Sequence, residues 1–168
     1  VSGSLTNSGS PTSLLVLPDG KILVGGYFTH VSGAPRPTLA RFGSDGLLDS
    51  AYTPALPTVN LGSTITSVVL APGAGGKFYA GFDQNGGLRR YAADGTLDTG
   101  FAPNTNASFF GSTSTNNAVT AILEAPDGKV YVAHRFSTGG FGAAFQYLIW
   151  RLNPDGTRDT SFVSPTLN

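Results

Sequence analysis

An all-β, repeat-built fold is what this chain of 168 residues predicts, and three observations carry the prediction. The stretch "PDGKILVGG", Pro18 to Gly26, returns as "PDGKVYVAH", Pro126 to His134, with other residues in fixed phase behind each copy. The three lysines of the chain, Lys21, Lys77 and Lys129, share one repeat position, whereas lysines serving only solubility would scatter. No apolar period of 3.6 residues is sustained anywhere, which leaves little room for helix.

Self-similarity at a period near 50 residues implies an array or a propeller and overrides local readings. Three copies lie within a single repeat domain, 1–168, at about 12–54, 66–103 and 120–165. The first runs "TSLLVLPDGKILVGGYF" and then "LARFGSDGLLDSAYTP"; the second runs "TSVVLAPGAGGKFYAGF" and then "LRRYAADGTLDTGFAP". The third runs "TAILEAPDGKVYVAHRF" and then "IWRLNPDGTRDTSFVSP". Arg41, Arg90 and Arg151 each precede a turn glycine by five residues, Asp49, Asp98 and Asp159 by eight, and an aromatic (Tyr52, Phe101, Phe162) by eleven. Lysine spacing is 56 and then 52 while turn-glycine spacing is 49 and then 61, so length varies in connectors and not in strands.

Each half of a copy reads as a hairpin. "SLLVL", "PDG" and "KILVGGYF" give strand, tight turn and strand, the Asp-Gly pair supplying the positive φ that such turns need. "LARF", "SDG" and "LLDSAY" repeat the pattern with a shorter last strand. Four β segments in about 55 residues match one four-stranded antiparallel blade of a β-propeller. Rings close with about 4 to 8 blades. Three blades therefore predict a partial propeller, or a ring completed by association, whose open end faces expose on the order of several hundred Å² of apolar surface. Further repeats of a longer chain, or homo-oligomer partners, are expected to cover them, two copies of three blades being the simplest closed case.

With "PDGKILVGGYF", "RFGSDGLLDSAY" and "RLNPDGTRDTSF" in view, the chain resembles the delta-60 repeat family of bacterial secreted and surface proteins. The resemblance covers nearly the whole chain, on the coupled DGK and DG-x-x-D-x-x-F signals. It implies a propeller-like fold and an extracellular or cell-surface location more than a reaction. The second copy departs from it, with "PGAGGK" where the family has "PDGK".

Composition removes several classes of function. Ten basic and ten acidic residues cancel, so no electrostatic footprint for nucleic acid is present. No apolar run approaches the roughly 18 residues of a membrane span, so no membrane insertion is expected. Cysteine is absent, which excludes disulfides, thiolate catalysis and Cys-ligated zinc. A surface rich in Ser, Thr, Asn and Gly suits an extracellular bacterial module. The chain begins at Val1 and contains no Met, and so reads as a processed product or a piece of something longer.

The acids point away from catalysis. Eight of ten, Asp19, Asp45, Asp49, Asp94, Asp98, Asp127, Asp155 and Asp159, occupy repeat positions, leaving Asp83 and Glu124. A hydrolase needs two carboxylates whose environments separate their pKa values, and a turn-maker copied in every blade suits that poorly. The DG-x-x-D spacing brings two carboxylates near one hairpin, too few for the six to eight oxygens calcium takes. The structural reading gives the first Asp the turn's backbone N–H groups and the second the Arg eight residues earlier. His30 and His134 stand at unrelated repeat positions without a nameable partner, and no Gly-rich segment has phosphate-cradle spacing. No catalytic residue, metal or cofactor is assigned.

Tyr52, Phe101 and Phe162 recur in phase and are core anchors. Phe109, Phe110, Phe141 and Phe145 fall in variable connectors, where aromatics either stack on a glycan or partner, or fold back onto a blade. "NAS" at Asn106 is a glycosylation-type sequon. The expected function is a non-catalytic structural or recognition module presenting variable loops on a rigid scaffold. Carbohydrate binding through loop aromatics and self-assembly are the alternatives.

Overall fold

The computed structural model describes residues 5–6, 9–57, 64–84, 87–102, 117–137 and 144–167. Its strands, in chain order, are β1 (Leu5–Thr6), β2 (Ser10–Val16), β3 (Ile22–Tyr27), β4 (His30–Val31), β5 (Ala34–Pro35), β6 (Leu39–Phe42) and β7 (Val68–Pro72). There follow β8 (Phe78–Phe82), β9 (Gly87–Tyr91), β10 (Ala118–Glu124), β11 (Val130–Ser137), β12 (Phe145–Leu152) and β13 (Thr166–Leu167). No α-helix occurs among the described residues, as the missing 3.6-residue period requires.

Three antiparallel sheets correspond to the three copies: β2-β3-β6, β7-β8-β9 and β10-β11-β12, the last extended at its edge by β13. Their registers agree. Leu23 faces Arg41, Tyr79 faces Arg90 and Tyr131 faces Arg151 across the same strand pair of successive blades. A further small sheet, β1-β4-β5, is built from the connector between β3 and β6 and the start of the chain.

The fourth β segment of each copy differs from the expected strand. It is reduced to one bridge, Phe42 to Leu48, Tyr91 to Leu97 and Leu152 to Arg158. The cause is local: the Asp that follows turns the chain by accepting, on Oδ1, the backbone N–H two residues on. These bonds are Ala51 N to Asp49 at 3.2 Å, Gly100 N to Asp98 at 3.0 Å and Ser161 N to Asp159 at 3.0 Å. A side chain that captures a nearby backbone donor competes with the sheet ladder, so the strand stops where it starts.

The Asp-Gly turns form as the sequence predicts. Gly20, Gly46, Gly95, Gly128 and Gly156 take φ values between 78° and 91°, and the preceding Asp accepts the N–H two residues on. The second copy, lacking that Asp, makes a short 3-10 turn at Ala74–Gly76 instead. Glu124 of the third blade accepts the Ala74 N–H at 2.8 Å.

Apolar side chains fill the spaces between sheets. Leu17, Leu23, Leu39 and Tyr52 of the first blade meet Val68, Leu70, Phe78, Ala80, Phe82 and Tyr91 of the second. Ala71, Tyr79, Leu88 and Phe101 on the other face of the second blade meet Val119, Val130, Val132, Trp150 and Leu152 of the third. Full burial of one such large side chain stabilises by about 1.5–3 kcal/mol. No blade has that burial alone, so the blades fold against one another. The backbones approach closely at Gly25 and Gly81, where a Cβ would press on Val68 and Val119 of the next blade.

Candidate functional site

The residues repeated in phase converge on one arrangement per blade, which we term the latch. The Asp that turns the chain with Oδ1 uses Oδ2 for cations. Asp49 Oδ2 accepts from Arg41 Nε at 3.0 Å, Asp98 Oδ2 from Arg90 Nε at 2.7 Å, and Asp159 Oδ2 from Arg151 Nε at 2.8 Å. The repeat lysine reaches the same oxygen: Lys77 Nζ to Asp98 and Lys129 Nζ to Asp159 are each 2.7 Å. Lys21 stands off at 3.6 Å from Asp49.

Each guanidinium also lies over the aromatic eleven residues on. The centroid distances are 4.4 Å for Arg41 over Tyr52, 4.6 Å for Arg90 over Phe101 and 4.9 Å for Arg151 over Phe162. Arginine suits this position because its planar fork can donate in plane while stacking by its face. The remaining nitrogen crosses to the next blade. Arg41 Nη1 donates to the Ala93 carbonyl, and Arg90 Nη1 to the Pro154 carbonyl at 2.9 Å. Both acceptors sit beside an Asp-Gly turn, so the latch of one blade grips the turn of its neighbour. Backbone bonds run alongside, Ala102 N donating to the Asp155 carbonyl at 2.9 Å and Ala55 N to the Gly95 carbonyl at 3.4 Å.

The electrostatics follow the geometry. The Lys129 hydrogen bond, with those of Ser161 and Arg151, holds the Asp159 carboxyl far below the usual range. Lys77 and then Arg90 lower Asp98 against the opposing effect of burial. For Asp49 burial pushes upward most strongly, yet the bond and charge of Arg41 outweigh it and the net shift is down, with Lys21 adding least.

The two acids outside the repeat are engaged in the backbone. Asp83 accepts the Thr66 N–H at 2.9 Å and the Thr66 hydroxyl, tying the entry of β7 to the end of β8. Glu124 caps the Ala74 turn. Among the described residues no three His, Asp or Glu side chains gather as a metal would require. His134 lies in β11, buried and stacked on Phe136 at 5.6 Å, and burial pushes its pKa down to about 4. His30 lies in β4, its Nδ1 at 3.0 Å from the Thr29 hydroxyl.

Of the four connector aromatics, Phe109, Phe110 and Phe141 lie outside the described residues, as does Asn106. Phe145 opens β12, exposed, with the Arg135 guanidinium 4.4 Å over its ring. Sequence reasoning paired Arg with Asp but missed the lysine on the same oxygen, the aromatic under the guanidinium and the reach to the next blade. The signal was the common phase of all four residue types in every copy.

A family model described as "Domain of unknown function (DUF5122) beta-propeller" matches residues 17–52, 74–101 and 125–162. The chain belongs to this family. Each DUF5122 segment ends on a latch aromatic, Tyr52, Phe101 or Phe162, and spans its blade's lysine, arginine and aspartate. The latch is therefore contained whole in every DUF5122 repeat of this chain; the connectors between blades fall between the matched segments, while the connectors within a blade, the one with Phe141 and Phe145 included, fall inside them. No curated protein and no solved structure matches the chain.

Proposed function

We propose that the chain is a non-catalytic structural or recognition module of a bacterial extracellular or surface protein, a delta-60-type propeller segment that presents variable connectors on rigid blades. One observation carries this reading: the charged residues common to the repeats are spent on latches and turns, so their chemistry goes into holding blades in register. Asp83 and Glu124, the acids outside the repeat, serve backbone donors. Variation is left to the connectors, where residues that need not pack can change. Several weak contacts from loops on one rigid face then sum to useful avidity.

A glycan is the ligand class favoured by a specific observation. Phe145 is an exposed ring backed by a guanidinium, a flat platform for the C–H face of a sugar. Its connector also carries Phe141. The test is a glycan array read with the wild-type chain, Phe141→Ala and Phe145→Ala, folding being checked by circular dichroism. Binding that falls at least tenfold in either variant with the spectrum unchanged supports the reading. Turnover of any arrayed glycan by the wild-type chain overturns it.

A further inference from the structure

The latch is directional: an arginine on one blade grips the turn of the next. That leaves one unmated half at each end of the three-blade stack. On the third blade the equivalent of Arg41 and Arg90 is Arg151, which keeps its Asp159 and Phe162 contacts and donates to Ser161 Oγ at 3.2 Å. Among the described residues no turn carbonyl of another blade reaches it. On the first blade the equivalent of Ala93 and Pro154 is Ser44, exposed, beside a half-buried Gly46 at which an added Cβ would meet no described atom within 4 Å, whereas at Gly95 it would press on Tyr52.

Burial tells the same story row by row. Leu39 and Leu88 are buried and Ile149, their counterpart, is half-exposed; Tyr52 and Phe101 are buried and Phe162 is half-exposed. Leu123 and Val163 on the third blade are 65% and 89% exposed. On the opposite end Leu14 and Val16 are 67% and 66% exposed, while Val68 and Leu70, at the same positions of the second blade, are sealed. Donor, stacked aromatic and apolar rows are thus complementary to acceptor turn and apolar rows at the other end, in the order used at both internal joints.

We propose that the outer face of the third blade, around Arg151 and Phe162, docks head to tail on the Ser44–Gly46 turn and the Leu14–Val16 strip of a second copy of this chain. Arg151 Nη1 then donates to the Ser44 carbonyl of that copy. This deepens the partner half of the propeller-segment reading and is independent of any glycan. The joint is weighted toward the latch end, for two reasons. The buried Val31 of β4 packs with Val24 and Ala40 at the far end of the first blade's outer face. Ala133 stands where Gly25 and Gly81 admit the neighbouring valine, so the mate cannot come as close there. A heterologous contact of this kind closes into a ring if the rotation allows and otherwise continues as a filament.

Analytical ultracentrifugation of the wild-type chain up to about 1 mM, with Val16→Asp (head) and Leu123→Asp (tail), tests the joint. Both substitutions are at exposed positions, and circular dichroism confirms that each variant folds. The wild-type mass is expected to rise with concentration to at least twice 17.3 kDa. Each variant alone should associate at least tenfold more weakly. A mixture of the two should regain one joint and stop at a pair, because head of one and tail of the other remain intact. A wild-type chain that stays at 17.3 kDa throughout overturns the proposal. So does association lost in only one variant, or a mixture that fails to pair.

Discussion

Arg90 of the second blade donates to the backbone carbonyl of Pro154 in the third, at 2.9 Å across 64 residues of sequence. The same guanidinium accounts for Asp98 and covers Phe101, so one side chain joins a strand, a turn and a neighbouring blade. Arg90→Ala is expected to cost on the order of 3 kcal/mol, since it uncovers the ring and leaves Asp98 to Lys77 alone. Arg90→Lys should recover less than half, because an ammonium cannot meet an oxygen, a ring face and a carbonyl in three directions. Urea unfolding measures both. A loss under about 0.5 kcal/mol in Arg90→Ala would place the latch among ordinary surface pairs.

Tyr52 buries its hydroxyl without a hydrogen-bond partner among the described residues, whereas the other blades carry Phe101 and Phe162 at that position. Deleting an unsatisfied buried polar atom removes a desolvation penalty of about 1–3 kcal/mol. Tyr52→Phe should therefore be neutral or stabilising by up to about 1 kcal/mol, with Tm unchanged or raised. A clear loss in thermal melts would mean the hydroxyl has a partner in solution.

Gly81 has no space for a Cβ, which would land on the Val119 side chain of the third blade. Overpacking a closed seam costs about 1–3 kcal/mol, so Gly81→Ala should lower stability by that amount. Ala133→Gly, the reverse change on the outer blade, should cost no more than about 1 kcal/mol from backbone entropy. Equal losses in the two variants would show that the second and third blades do not meet as described.

Acid should weaken the fold in two stages. Burial keeps the His134 imidazole neutral, its pKa down from 6.5 to about 4. The unfolded chain therefore binds a proton that the folded chain refuses, and this contribution is whole above pH 6.5 and lost as pH falls toward 4. Asp49, Asp98 and Asp159 are shifted down from 3.8, so theirs is whole above that value and lost only as pH drops through the lowered ones. Tm measured from pH 8 down through the lowered aspartate values should show both stages in the wild-type chain, and His134→Phe should lack the upper one. An unchanged slope between pH 6.5 and 4.5 in that variant would contradict the assignment.

The repeat, the strand order and the Asp-Gly turns were legible because each depends on residues a few positions apart. The shortening of the fourth segment was less so: "LLDSAY" has strand composition, and only the side-chain bond from Asp49 to Ala51 N shows why the ladder stops at Leu48. Asp83 and Glu124 looked like spare acids because their partners, Thr66 and Ala74, are 17 and 50 residues away. Long-range pairing of that kind leaves no local pattern. The grip of Arg90 on Pro154 is hidden for a further reason, since a backbone carbonyl carries no sequence signal at all.

Amide hydrogen exchange on Arg90→Ala tests most directly whether latches join blades to one another. The Gly156 amide, bonded to the Asn153 carbonyl in the third blade's turn, should lose protection at least tenfold, while the Gly46 amide, bonded to Gly43 in the first, keeps its own. Lost protection confined to the second blade, with Gly156 unchanged, would show that each sheet stands by itself and that the reach to Pro154 holds nothing together.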